Sequence, residues 1–83
     1  MIATDHAPHT AEEKASDDYL VAPAGLPLVQ DFLVAALELV HEGKLDLHTV
    51  VRDMTHNPAK RFNVVGRGFI REGYHADLTL VDM

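Results

Sequence analysis

Cysteine is absent from the 83 residues. That excludes a disulfide framework and any thiolate metal site, leaving histidine and carboxylate as the only strong metal donors. Cationic side chains are scarce: seven Lys and Arg stand against thirteen Asp and Glu, a formal charge of −6. Such a chain repels phosphate backbones and anionic lipid head groups, so no nucleic acid and no membrane partner is expected. The longest apolar run, around Phe32 to Val40, is broken by Glu38 and falls short of the roughly 20 residues that span a bilayer. The start, Met1-Ile2-Ala3-Thr4-Asp5, has no basic segment and meets an aspartate at once, unlike a secretory or transit peptide; it reads as mid-protein sequence. A cytoplasmic location is the expectation these absences favour. Gly66-Arg67-Gly68 lacks the rest of any nucleotide-binding fingerprint, and there is no internal repeat or low-complexity tract.

What is present is an α/β order. Met1 to Thr4 is a short apolar run stopped by a charged, Pro-containing stretch, which suits a buried strand followed by a functional loop. Residues 10–25 begin acidic and end in Ala22-Pro23-Ala24-Gly25, the pattern of a loop holding one helical turn. From Leu26 to Glu42 the residues Val29, Phe32, Leu33, Ala36, Leu37 and Val40 recur at three- and four-residue spacings, predicting a helix with Pro27 in its first turn and Gly43 at its end. Val34, Ala35 and Leu39 widen its apolar stripe, so more than one neighbour should cover it. Asp46 is a good N-cap for a second helix that places Leu47, Val50, Val51 and Met54 on one face. Asn57-Pro58 should then restart the chain as a short separate helical turn through Phe62.

After Asn63 the period changes to that of strands, with Gly66, Gly68 and Gly73 as turn points and a closing Ala76 to Asp82. One strand at the start and one or two at the end are too few to close a sheet. At this length only about 60% of the unfolded surface can be buried. The helices want a sheet to lie on and the strands want partners, so the chain looks cut from something larger.

Asp5, His6 and His9 put a carboxylate and two imidazoles within five residues after a strand, a donor set that can bind a divalent metal. By spacing alone, an aspartate capping the next turn beside two solvated histidines is the better reading. His41, His48, His56 and His75 lie at unrelated spacings and are expected at the surface, as are Lys60 and Arg61.

Ile2-Ala3-Thr4-Asp5-His6-Ala7-Pro8-His9-Thr10 with Glu12-Glu13-Lys14 resembles the segment of dihydroorotases that ends the eighth strand of their (β/α)8 barrel. Ala22-Pro23-Ala24-Gly25-Leu26-Pro27-Leu28-Val29-Gln30 resembles the loop entering their last barrel helix, and His56-Asn57-Pro58-Ala59-Lys60-Arg61-Phe62 the helix after it. Arg67 to Gly73 with Ala76 to Asp82 resembles the strands by which the chain returns to a small β domain.

The resemblance implies a C-terminal fragment of a TIM-barrel metal-dependent hydrolase: residues 1–63 as the last strand and helices of the barrel, 64–83 as the start of the small β-sandwich domain. It implies a cytoplasmic enzyme of pyrimidine biosynthesis that reversibly hydrolyses (S)-dihydroorotate to N-carbamoyl-L-aspartate at a binuclear zinc centre in the barrel mouth. Asp5 would be the strand-eight metal ligand and the catalytic proton carrier. His9 would bind the substrate carboxylate, and the backbone amides of Ala24 and Gly25 would contact its ring. His6 matches the motif without being a ligand, and Glu12, Glu13 and Lys14 read as a charged surface supporting the loop.

Missing are the His-x-His, the modified lysine and the two further histidines that complete the zinc site. The rest of the barrel is therefore needed, and the isolated chain is expected to be inactive. The competing readings are another cyclic amidohydrolase such as an allantoinase or hydantoinase, a non-catalytic interaction module, and a truncated reading frame.

Overall fold

Helix boundaries in the computed structural model, which describes residues 1–83, follow the capping chemistry. The first helical turn, α1 (Ala11–Lys14), opens on a capping box: Thr10 accepts from the Glu13 amide while the Glu13 carboxylate accepts from the Thr10 amide at 2.8 Å. Helix α2 (Phe32–His41) ends at Gly43, whose φ of +70° allows the amides of Gly43 and Lys44 to reach back to the carbonyls of Val40 and Leu39. Helix α3 (Leu47–Val51) is capped by Asp46, which accepts from the Thr49 amide at 3.0 Å.

Three expectations are corrected. The helix predicted from Leu26 begins only at Phe32, so Pro27 lies outside it. The Leu26 carbonyl and the Val29 amide are already committed to the loop around His6 and Ala7, and a backbone group so used is lost to a helix.

Nor is there a break at Asn57-Pro58: α3 runs through a π turn (Arg52–His56) into α4 (Asn57–Arg61). Pro58 has no N–H to offer, and in a regular α-helix its ring would strike the carbonyl four residues back. The wider π turn absorbs it, with the Asn57 amide reaching the Arg52 carbonyl and the Asn57 side chain donating to Asp53 at 2.5 Å.

The third correction concerns the strands: none forms. A strand needs a ladder partner, and from Ala76 onward the backbone makes no hydrogen bond within the chain. At the other end the one backbone tie is from the Ile2 amide to the Asp53 carbonyl, 3.0 Å, which lays the first residues along the π turn.

Only Ala36, Val50 and Ala59 are buried. Gly68, at φ +79°, lies so close to the α3–α4 helix that a Cβ there would stand 2.4 Å from that of Ala59. Phe69 stacks on His56 at 4.3 Å, which leaves His56 half-buried. An open groove of about 620 Å³ runs between α2, α3 and the C-terminal segment, lined by residues such as Leu33, Leu37, Met54, Phe69 and Val81. The accessible surface is 6996 Å², where a self-contained domain of this mass would show about 4,900 Å². No helix is long and apolar enough to cross a membrane.

Candidate active site

The residues from Asp5 to His9 leave the extended N-terminal segment as a loop, and Asp5 is the point at which the backbone turns. Its φ is +47°, a left-handed conformation uncommon for any residue but glycine and most accessible to Asn and Asp. The side chain is exposed, and no hydrogen bond or ion pair within the chain engages its carboxylate.

His6 is engaged: its Nδ1 accepts the Val29 amide at 3.1 Å, tying the loop to the entrance of α2. One residue on, the Ala7 amide donates to the Leu26 carbonyl at 3.0 Å. Between these ties Gly25, at φ +100°, rests on Ala7 so closely that a Cβ would lie 2.4 Å from the Ala7 Cβ. The loop carrying Ala24 and Gly25 is thus laid against the middle of the Asp5 to His9 segment. The four residues expected in the site, Asp5, His9, Ala24 and Gly25, fall on two adjoining loops.

His9 is fixed from behind. Its Nδ1 lies 3.4 Å from the Glu13 carboxylate, which leaves the Nε2 edge of the ring for a ligand. Hydrogen bonding from the Thr10 amide, with the nearby His9 ring, holds the Glu13 carboxyl below its usual range. Lys14 extends the bracket: its Nζ donates to the carbonyls of Pro23 at 3.0 Å and Gly25 at 2.9 Å.

Glu13 and Lys14 therefore support the two loops, the part expected of them as a charged surface supporting the loop. The Thr10-x-x-Glu13 spacing was a readable sign of the capping box. Nothing in the sequence announced the long-range bonds of Lys14.

Asp5, His6 and His9 are not gathered with any other carboxylate or imidazole into a cluster of three or more able to hold a metal ion. One Nδ1 is taken by the Val29 amide and the other faces Glu13. The donors present do not make a zinc site by themselves. The apolar groove, for its part, contains none of the four expected site residues.

Compared with known proteins, the chain is 48% identical over 83 residues to a dihydroorotase of Endomicrobium trichonymphae. It is 47% identical over 83 residues to one of Halobacterium salinarum and 43% identical over 82 residues to one of Methanosphaera stadtmanae. Each match takes in 99% of this chain and 19% of the relative, so the chain spans about a fifth of the length of the curated relatives it matches, their C-terminal part. No protein-family model and no solved structure matches it. The resemblance to dihydroorotases extends over the whole chain.

Proposed function

We propose that the chain is the C-terminal part of a dihydroorotase, the portion that closes the substrate site and supplies its proton carrier. The observation that carries this reading is the match to dihydroorotases along the whole chain, 40–48% identical in the relatives compared. The two adjoining loops, which carry Asp5, His9, Ala24 and Gly25, agree with it.

On this reading residues 1–63 are the last βα part of a (β/α)8 barrel and residues 64–83 the first strands of a small β domain. The extended, unpaired ends and the surface in excess of a self-contained domain support that placement. Zinc would be held by Asp5 only together with donors that a longer chain provides; when bound it supplies a polarised carbonyl and an activated water.

The work assigned to this chain's own residues is narrower. Asp5 accepts a proton from the water that attacks the ring amide and returns it to the ring nitrogen as the C–N bond breaks, work that an amide side chain could not do. His9 presents its free ring edge to the substrate carboxylate, with Glu13 behind it. The amides of Ala24 and Gly25 meet the ring.

The test is turnover by the full-length protein bearing this segment, loaded with zinc and offered dihydroorotate, allantoin and hydantoin in parallel. Preferential hydrolysis of dihydroorotate is expected; preference for either other ring would overturn the substrate assignment.

A further inference from the structure

We propose that Lys14 is a positioning residue for the substrate loop, holding the peptide groups of Pro23 to Leu26 so that the Ala24 amide faces the substrate; the role rests on the dihydroorotase reading above. Lys14 closes α1, whose first turn is locked by the Thr10–Glu13 capping box. Its ammonium donates to two carbonyls two residues apart, Pro23 at 3.0 Å and Gly25 at 2.9 Å. No other side chain bonds to residues 22–28; the remaining ties are two backbone bonds, the Ala22 amide to the Asp18 carbonyl and the Ala7 amide to the Leu26 carbonyl.

Peptide geometry turns those two bonds into a direction. The chain has no cis peptide, and in a planar trans peptide the N–H points opposite to the C=O. A Pro23 carbonyl aimed at Lys14 therefore sends the Ala24 N–H away from it, and the Gly25 carbonyl does the same for the Leu26 N–H. Gly25 also rests on Ala7, which limits how far it can shift. The loop is thus tied to a cation and packed against a methyl group. The same short turn backs His9 through Glu13, so one element sets the position of both substrate contacts.

The experiment uses the full-length enzyme carrying Lys14→Met and, separately, Lys14→Arg. In Lys14→Met the KM for dihydroorotate is expected to rise roughly tenfold, the equivalent of one charge-assisted hydrogen bond, with kcat changed by less than about twofold and zinc content intact. Lys14→Arg, which keeps the donors, should recover part of the loss. Amide hydrogen exchange over residues 22–27 should accelerate in Lys14→Met and not in Lys14→Arg. If Lys14→Met does not fold, Lys14→Gln takes its place in the same comparison. An unchanged KM, or a loss confined to kcat or to zinc, overturns the role, as does unchanged exchange over residues 22–27. An unmutated enzyme that leaves dihydroorotate intact overturns the functional reading instead, and the exchange result still decides whether Lys14 holds the loop.

Discussion

Two residues other than glycine turn the backbone left-handed, Asp5 and Asn63. Asn63 does so to end α4, with the Val64 amide reaching the Ala59 carbonyl at 2.9 Å, an ordinary helix stop. Asp5 ends no helix, and its carboxylate is left without a partner in the chain. Strain at a side chain with no local task points to a task supplied from outside. Two substitutions in the full-length enzyme separate backbone from chemistry. Asp5→Gly fits the φ of +47° better than aspartate does, whereas Asp5→Asn keeps the shape and removes the carboxylate proposed to carry the proton. Both are expected to lower kcat by about 10²- to 10⁴-fold, the usual contribution of a positioned acid–base group. Recovery by Asp5→Gly would show that the position matters only for its turn. Gly25 gives the complementary case: Gly25→Ala must strain both φ and the 2.4 Å approach to Ala7, so KM should rise, measured beside the Lys14 variants.

At the scale of elements, local chemistry was legible and long-range pairing was not. The Asp46 cap, the Gly43 stop and the helical turn after Thr10 lie where side-chain hydrogen bonding and glycine's freedom put them. The start of α2 was misplaced because His6, more than twenty residues away, takes the Val29 amide. The π turn was invisible because spacing does not distinguish a restarted helix from a widened one. These side-chain hydrogen bonds, with one at Asp53 in the π turn, also carry a pH dependence. Hydrogen bonds from Thr49 hold the Asp46 carboxyl below its usual range, those of Thr10 do so for Glu13, and the Arg52 side chain does so for Asp53. A carboxyl with a folded pKa below its unfolded one stabilises the folded form above the ordinary range near pH 4, and that contribution fades as pH falls through the folded value. Protection of the amides of residues 47–50 in the full-length enzyme should therefore drop below about pH 4. In Asp46→Asn this acid step should be smaller. An equal step in the variant would show that other groups set it. Gly68→Ala tests the fit of the C-terminal segment on α4: a Cβ 2.4 Å from that of Ala59 should cost about 1–3 kcal/mol, read from the urea midpoint.

For the whole molecule the deciding quantity is surface. The chain exposes 6996 Å², roughly 2,000 Å² more than a self-contained domain of its mass. Removed from one side of a contact, that excess corresponds to a total interface of roughly 4,000 Å², within the range of obligate associations. Its apolar residues are where such a contact needs them: Val34 on α2 and Ile70, Leu78 and Leu80 on the C-terminal segment are 69%, 90%, 70% and 101% exposed. The width of the α2 stripe showed in the sequence that several neighbours were required; which neighbours did not show, because a surface pattern specifies burial and not the partner that provides it. Three buried residues cannot sustain a cooperative transition, because cooperativity comes from side chains that lose their contacts together. The isolated 83-residue chain should therefore melt over a broad range by circular dichroism, bind a hydrophobic dye, and show no dihydroorotase turnover with zinc supplied. Joined to the preceding part of a full-length enzyme, the same residues should unfold within one sharp transition and lose dye binding. A sharp, monomeric, dye-free transition in the isolated chain would mean that it closes its own core, and the placement in a larger barrel would fall with it.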